Sequence, residues 1–188
     1  MIEKQDFLNP PNIISIIRVL MAPLLLLLAH HQYVTTYFIV LLFTLFTDVL
    51  DGYLARRLNM ITELGSHLDS WGDFVIYTTL AIAAWWLWPE IIKQELVYVV
   101  AIILSFATPV LFGLIKFHRL TSYHTWSVKI AVFITVVSYI IVFMGWARWP
   151  LYLAAFVSVI AAMEEILITV IMKHERADVR SFWHALKY

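Results

Sequence analysis

The sequence predicts an all-α integral membrane protein with six transmembrane helices. Three observations carry that reading. Hydrophobic residues make up 62% of the 188 residues and the mean hydropathy is +0.84, whereas soluble domains are nearer half apolar. Six stretches are apolar over about the 20 residues that a spanning helix needs. The short connections between them alternate sharply in Lys and Arg content.

The stretches run roughly over residues 12–30, 33–56, 67–88, 95–115, 127–147 and 151–172. They consume most of the chain, so residues 1–188 read as a single membrane domain with no soluble domain beside it. The first carries Arg18 about two turns in and Pro23, a kink position, and ends at His30-His31. The second carries Asp48 and Asp51 and ends at Arg56-Arg57. The third carries Asp69 and Asp73 and ends among Trp85, Trp86 and Trp88. The fourth holds Pro109, another kink position, and leads into a basic connection. The fifth ends near Trp146 and Trp149, and the sixth carries Glu164 and Glu165.

The N-terminus, the second and fourth connections and the C-terminal tail hold Lys4, Arg18, Arg56, Arg57, Lys116, Arg119, Lys129, Lys173, Arg176, Arg180 and Lys187. The other connections hold only Lys93 and Arg148. By the positive-inside rule both termini and the aspartate-rich region face the cytoplasm. Five of the eight tryptophans cluster at the opposite ends, as an interfacial aromatic belt does. The formal net charge is zero and says nothing about partners; no nucleic-acid partner is expected. With no cysteine, disulfides and thiolate metal sites are excluded. The first apolar run lacks a small-residue cleavage pattern, and no duplicated motif points to a transporter built from two halves. With no organelle address, the expected location is a prokaryotic plasma (inner) membrane, crossed several times.

Between residues 48 and 73 the chain places Asp48, Asp51, Asp69, Asp73 and three of its five glycines. Carboxylates in or beside apolar segments are costly unless a cation is paired with them. Arg56 and Arg57 cannot neutralise four, so bound divalent metal is the simplest remedy. At about 100° per residue, Asp48, Asp51, Gly52 and Ala55 share one helical stripe with Arg56 at its edge. Gly65, Asp69, Gly72 and Asp73 fall within about 100° of one another on the next helix. The short joining segment is expected to set the two helices side by side, with glycines admitting a bulky polar ligand. Asp48 lies about 13 Å along its helix from Arg57, so the site reads as a polar, metal-lined cavity opening to the cytoplasmic side. Such a carboxylate cluster suits one or two hard cations, Mg²⁺ or Mn²⁺, which commonly bridge phosphates.

The run D-x-x-D-G-x-x-A-R, eight residues, G-x-x-x-D-x-x-x-D resembles, position for position, the signature of the CDP-alcohol phosphotransferase (CDP-alcohol phosphatidyltransferase) family. The segment Asn9-Pro10-Pro11-Asn12-Ile13-Ile14-Ser15-Ile16-Ile17-Arg18, with Pro23 following, looks like the N-terminal segment of the phosphatidylglycerophosphate synthase and cardiolipin synthase branch. The resemblance implies a membrane enzyme of phospholipid synthesis. It would transfer a phosphatidyl group from CDP-diacylglycerol to a polar alcohol, glycerol 3-phosphate first, and release CMP. Asp48, Asp51, Asp69 and Asp73 would hold a pair of Mg²⁺ or Mn²⁺ ions. Asp48, Gly52, Ala55, Arg56, Gly65 and Asp69 would line the CDP pocket, and Asp73 would be the general base. A homodimer in membrane lipid is a further implication of the family.

The branch typically carries Pro-x-Ala between the last two aspartates and a lysine after them. This chain has Ser70-Trp71-Gly72 and then Phe74. That keeps choline, serine, an inositol compound or phosphatidylglycerol as alternative acceptors, with Trp71, Tyr77, Tyr123 or Trp126 available for cation–π contacts to choline. Arg18, Lys116, Arg119 and Lys129 are the cationic candidates for acceptor binding. Each has a plainer reading: Arg18 as a snorkelling anchor, the loop cations as ordinary cytoplasmic charges. One of Glu164 and Glu165 is expected to pair with Arg18 or Lys129. His67 is a weak candidate for nucleotide contact, and the remaining histidines read as interfacial. Two other classes compete: a divalent-cation transporter, since intramembrane carboxylates also mark ion paths, and an inactive membrane scaffold.

Overall fold

The computed structural model describes residues 9–58, 60, 62–118, 125–172, 179 and 181–185, and the backbone alone at positions 56, 63, 64, 66, 67, 69 and 70. Among the described residues every regular element is a helix: α1 (Pro10–His30), α2 (Val34–Arg57), α3 (Glu63–Leu87), α4 (Pro89–Gln94), α5 (Leu96–Phe117), α6 (Trp126–Phe143), α7 (Trp149–Ile171) and α8 (Phe182–Ala185). Five of them, α1, α2, α5, α6 and α7, are long and apolar enough to cross a membrane. Helix α3 is longer still, at 25 residues, but its acidic residues, threonines and tryptophans dilute its hydropathy.

The chain divides into two compact units, residues 1–89 and 90–188. In the first, α1 packs along both α2 and α3. Among the described residues those two meet each other far less than either meets α1. Side-by-side pairing of the aspartate helices, expected from their short connection, is therefore mediated by a third helix. Helix α1 can serve both neighbours because its buried face, Leu25 apart, is made of small or polar residues and proline: Pro11, Asn12, Ser15, Arg18, Ala22 and Ala29. Its large residues Leu20, Leu24 and Leu27 point outward. Lipid tails are as apolar as leucine, so helices in a membrane associate through close approach and hydrogen bonds, which small faces allow.

The second unit repeats the scheme. Helix α7 packs against both α5 and α6, and buries Ala154, Ala155, Ser158, Ala161 and Ala162 while exposing Phe156 and Leu167. Beyond α7, Val179 and Ala185 close a small apolar cluster on Ile168 and Met172.

Local chemistry sets the helix ends. Prolines at the first positions open α1 and α7, where a missing N–H costs nothing. Thr62 caps α3, its hydroxyl accepting from Gly65 N at 3.0 Å, so the helix begins four residues before the hydropathy signal at 67. Helix α6 stops at Phe143, ahead of Gly145 with φ +78°, a conformation open to glycine. At the aromatic-rich end, Gln32 Nε2 donates to Trp86 O at 3.1 Å, and Tyr37 and Phe38 pack on Trp88.

Ala154→Leu should overfill the shared face of α7 and lower the thermal midpoint in detergent, equivalent to about 1–3 kcal/mol. Phe156→Leu on the outward face should leave the midpoint nearly unchanged. Equal losses in the two variants would contradict this packing.

Candidate functional site

Asn12, Ser15 and Arg18 recur every three residues on α1 and are all buried. That spacing keeps them on one side of the helix over two turns. Ser15 Oγ donates to Asp51 Oδ2 at 2.6 Å. Arg18 Nη1 pairs with Asp48 Oδ1 and lies 3.6 Å from Asp51 Oδ2. Arg18 is only 1% exposed. The side chain of Asp51 is 5% exposed and that of Asp48 39%, so one carboxylate is sealed and the other opens outward. Asp48 and Asp51 are one turn apart on α2, which lets a single guanidinium reach both.

Helix α3 makes room for this arrangement. A Cβ added at Gly72 would lie 2.8 Å from Arg18 Nη2 and 3.0 Å from Arg18 Nε. A Cβ at Gly65 would lie 2.7 Å from Asn12 Oδ1. The two glycines are seven residues apart, so they mark one face of α3, pressed against α1. Asn12 Nδ2 also donates to Thr62 Oγ1 at 3.3 Å, tying the start of α1 to the cap of α3. Asp73 is partly exposed, and Asp69 falls on the same stripe by register. Among the described residues no three carboxylates or imidazoles stand close enough to hold a metal ion. The side chains of Asp69, Arg56 and His67 lie outside the described residues.

The structure therefore brings Arg18 to Asp48 and Asp51. It also adds Ser15, Asn12 and Thr62, which the charge pattern did not single out. The signal for Asn12 and Ser15 was the polar i, i+3, i+6 stripe that they form with Arg18 in an otherwise apolar helix. Gly52 and Ala55 are half-buried on α2. Arg57, at its end, bonds Tyr53 through Nη1 at 3.0 Å.

The other basic candidates belong to the second unit. Lys116 Nζ donates to the carbonyls of Thr169 and Val170 at 2.8 and 2.7 Å, satisfying acceptors left open at the end of α7. Lys129 Nζ sits 5.3 Å above the Trp126 ring. Arg119 lies outside the described residues. Glu164 forms hydrogen bonds where an ion pair was one expectation. Its Oε2 accepts from Ser127 Oγ, and its Oε1 accepts from Phe182 N at 2.8 Å. His30 packs edge-on to Trp86 at the interface end.

The chain matches the CDP-alcohol phosphatidyltransferase family over residues 8–171. A 69-residue stretch is 44% identical to the CDP-diacylglycerol–glycerol-3-phosphate 3-phosphatidyltransferase of Pseudomonas fluorescens, covering 35% of each chain. A 68-residue stretch is 35% identical to the protein of the same name from Aquifex aeolicus, covering 36% of this chain and 38% of that one. A 79-residue stretch is 32% identical to a cardiolipin synthase (CMP-forming) / mitochondrial hydrolase fusion protein of Schizosaccharomyces pombe, covering 42% of this chain and 13% of that one. Each match spans well under half of the relative's length. No solved structure matches the chain significantly.

Gly65→Ala should cost stability by pushing Asn12 off Thr62, a loss of about 1 kcal/mol. In an Asn12→Ala background the same change should be neutral or stabilising, since alanine favours a helix over glycine. Identical effects in both backgrounds, read as thermal midpoints in detergent, would refute the contact.

Proposed function

This chain belongs to the CDP-alcohol phosphatidyltransferase family, and on that premise we propose that it transfers a phosphatidyl group from CDP-diacylglycerol to a polar alcohol. The acceptor is glycerol 3-phosphate, the substrate in the names of its matched relatives. One observation carries the reading. Two carboxylates of the aspartate run meet a cation inside an apolar helical unit, against a helix face cleared by glycine.

A pair of divalent cations fits this donor set. Asp48 and Asp51 present hard carboxylate oxygens that already attract positive charge, and Asp69 and Asp73 supply two more on α3. Bound there, Mg²⁺ or Mn²⁺ would neutralise the diphosphate of the donor and the charge that builds on departing CMP. The chain's own groups do the rest. Gly52 and Ala55 leave space for the nucleotide, Gly65 lets α1 approach α3 beside it, and Arg56 holds it next to the cations that the aspartates would bind. Asp73 accepts the proton of the acceptor hydroxyl as that oxygen bonds to the β-phosphorus. The bond from this phosphorus to the bridging oxygen breaks, and CMP leaves with the electron pair. Of the cations expected to meet an anionic acceptor, Arg18 stands in the unit that carries the aspartates, while Lys116 is taken up by the carbonyls of Thr169 and Val170.

In this reading α3 is the sixth span, 25 residues long and so about 37 Å from end to end. Both termini and the site lie on the cytoplasmic side of a prokaryotic plasma membrane, where the donor keeps its acyl chains in lipid. Residues 1–188 act as one domain, paired as a homodimer. Phe74, following the proposed base, brings no charge for a phosphate, so choline, serine, inositol compounds and phosphatidylglycerol belong in the acceptor panel.

Purified protein given CDP-diacylglycerol, Mn²⁺ and single alcohols should release CMP with one of them. Asp73→Asn should lower that rate by about 10²–10⁴-fold without lowering the thermal midpoint. Full turnover in the variant, or in excess chelator, refutes the mechanism. Since the chain lacks cysteine, a single Cys at Ser122 should react with an impermeant maleimide only from the cytoplasmic side, and one at Gln94 only from the other.

A further inference from the structure

Arg18 has a place in the site that charge balance alone does not require. Its guanidinium is buried, paired with Asp48, and 3.6 Å from Asp51. Gly72 has no Cβ, and one would come within 2.8 Å of the guanidinium. The arginine therefore fills a space kept clear for it, on the two carboxylates of α2 that a metal would need. We infer that Arg18 couples metal binding to nucleotide binding: it holds divalent cations off Asp48 and Asp51 until a diphosphate arrives. This rests on the metal-dependent reading above.

The argument is electrostatic. Four aspartates in the run balance two divalent cations, so a metal-loaded site that retains Arg18 carries excess positive charge. Cations arriving alone face either that repulsion or the burial of an unpaired guanidinium, and both oppose binding. The diphosphate of a CDP-linked donor brings two negative charges, free CDP up to one more, and either offers the guanidinium a new bidentate partner. Metal and diphosphate together are then favoured over either alone, and the effect is reciprocal by linkage. Ser15, donating to Asp51 Oδ2, keeps that carboxylate's orientation fixed while its cation changes.

The test is the ratio of Mn²⁺ dissociation constants without and with CDP, measured on detergent-solubilised full-length protein from the electron paramagnetic resonance signal of free Mn²⁺. Wild type should show a large ratio. Arg18→Gln should bind Mn²⁺ alone more tightly and reduce the ratio by at least about tenfold, since one charge within 4–6 Å moves an ionic equilibrium by one to three decades. Arg18→Lys should keep most of the ratio. A merely structural arginine would weaken all binding together and leave the ratio where it was, and an unchanged ratio in Arg18→Gln overturns the inference. If Arg18→Gln yields no folded protein, Gly72→Ala decides in its place, because its methyl group displaces the guanidinium; the ratio should fall. Wild-type protein that binds no Mn²⁺ with or without CDP would sink the metal-dependent reading itself.

Discussion

A carboxylate inside an apolar helical unit has to be given a cation, and much of the first unit follows from that need. The cost of an isolated buried charge is comparable with the whole net stability of a fold. Arg18 answers it for Asp48 and Asp51, which requires α1 to lie against α2. The guanidinium then needs space on its other side, which Gly72 of α3 leaves open. One ion pair thus ties three helices, with Ser15 and Asn12 adding hydrogen bonds on the same face. Burying such a pair is weak as a source of stability but strong as a source of register, since a slip would strand charge in an apolar setting.

The same economy of small residues organises both units. Helices α1 and α7 each pack two neighbours, and each turns mostly alanine, serine and polar groups inward, with Leu25 and Leu151 among them, while Leu20, Leu24 and Leu27 of α1 and Leu153, Phe156 and Leu167 of α7 face out. This reverses the usual pattern of a soluble core. It suits a bilayer, where large apolar residues gain nothing by leaving lipid and backbones gain by approaching closely. The arrangement bears on chemistry too. A unit held by small residues around a central helix can carry polar side chains at that centre, because each polar group meets a partner across a short gap.

Some polar residues turn out to stabilise ends and joints. Lys116 closes the carbonyl end of α7. Glu164 joins the first turn of α6, through Ser127, to the backbone at Phe182. Glu95 is buried with Arg148 and Tyr152 around it. Each is a charge placed where helix termini leave unmatched dipoles or where chain segments meet, which gives these residues partners without drawing on the aspartate run.

The sequence by itself determined the helical membrane class, the approximate extent of the long helices, and the carboxylate run with its spacing. Those are one-dimensional properties: hydropathy over about 20 residues, a period of 3.6, and fixed offsets along one chain. It also carried the family signature, because that signature is a set of residues at fixed offsets along one chain. Only the tertiary structure decided that α1 mediates between the two aspartate helices, that Arg18 meets Asp48 and Asp51, and that Gly72 clears its path. Lys116 and Glu164 likewise found partners more than 15 residues away along the chain. The reason is the same in each case. A charge pattern states that a partner is needed, but which helix supplies it depends on close approach across an interface, and the period of small residues on one helix does not say which neighbour meets them.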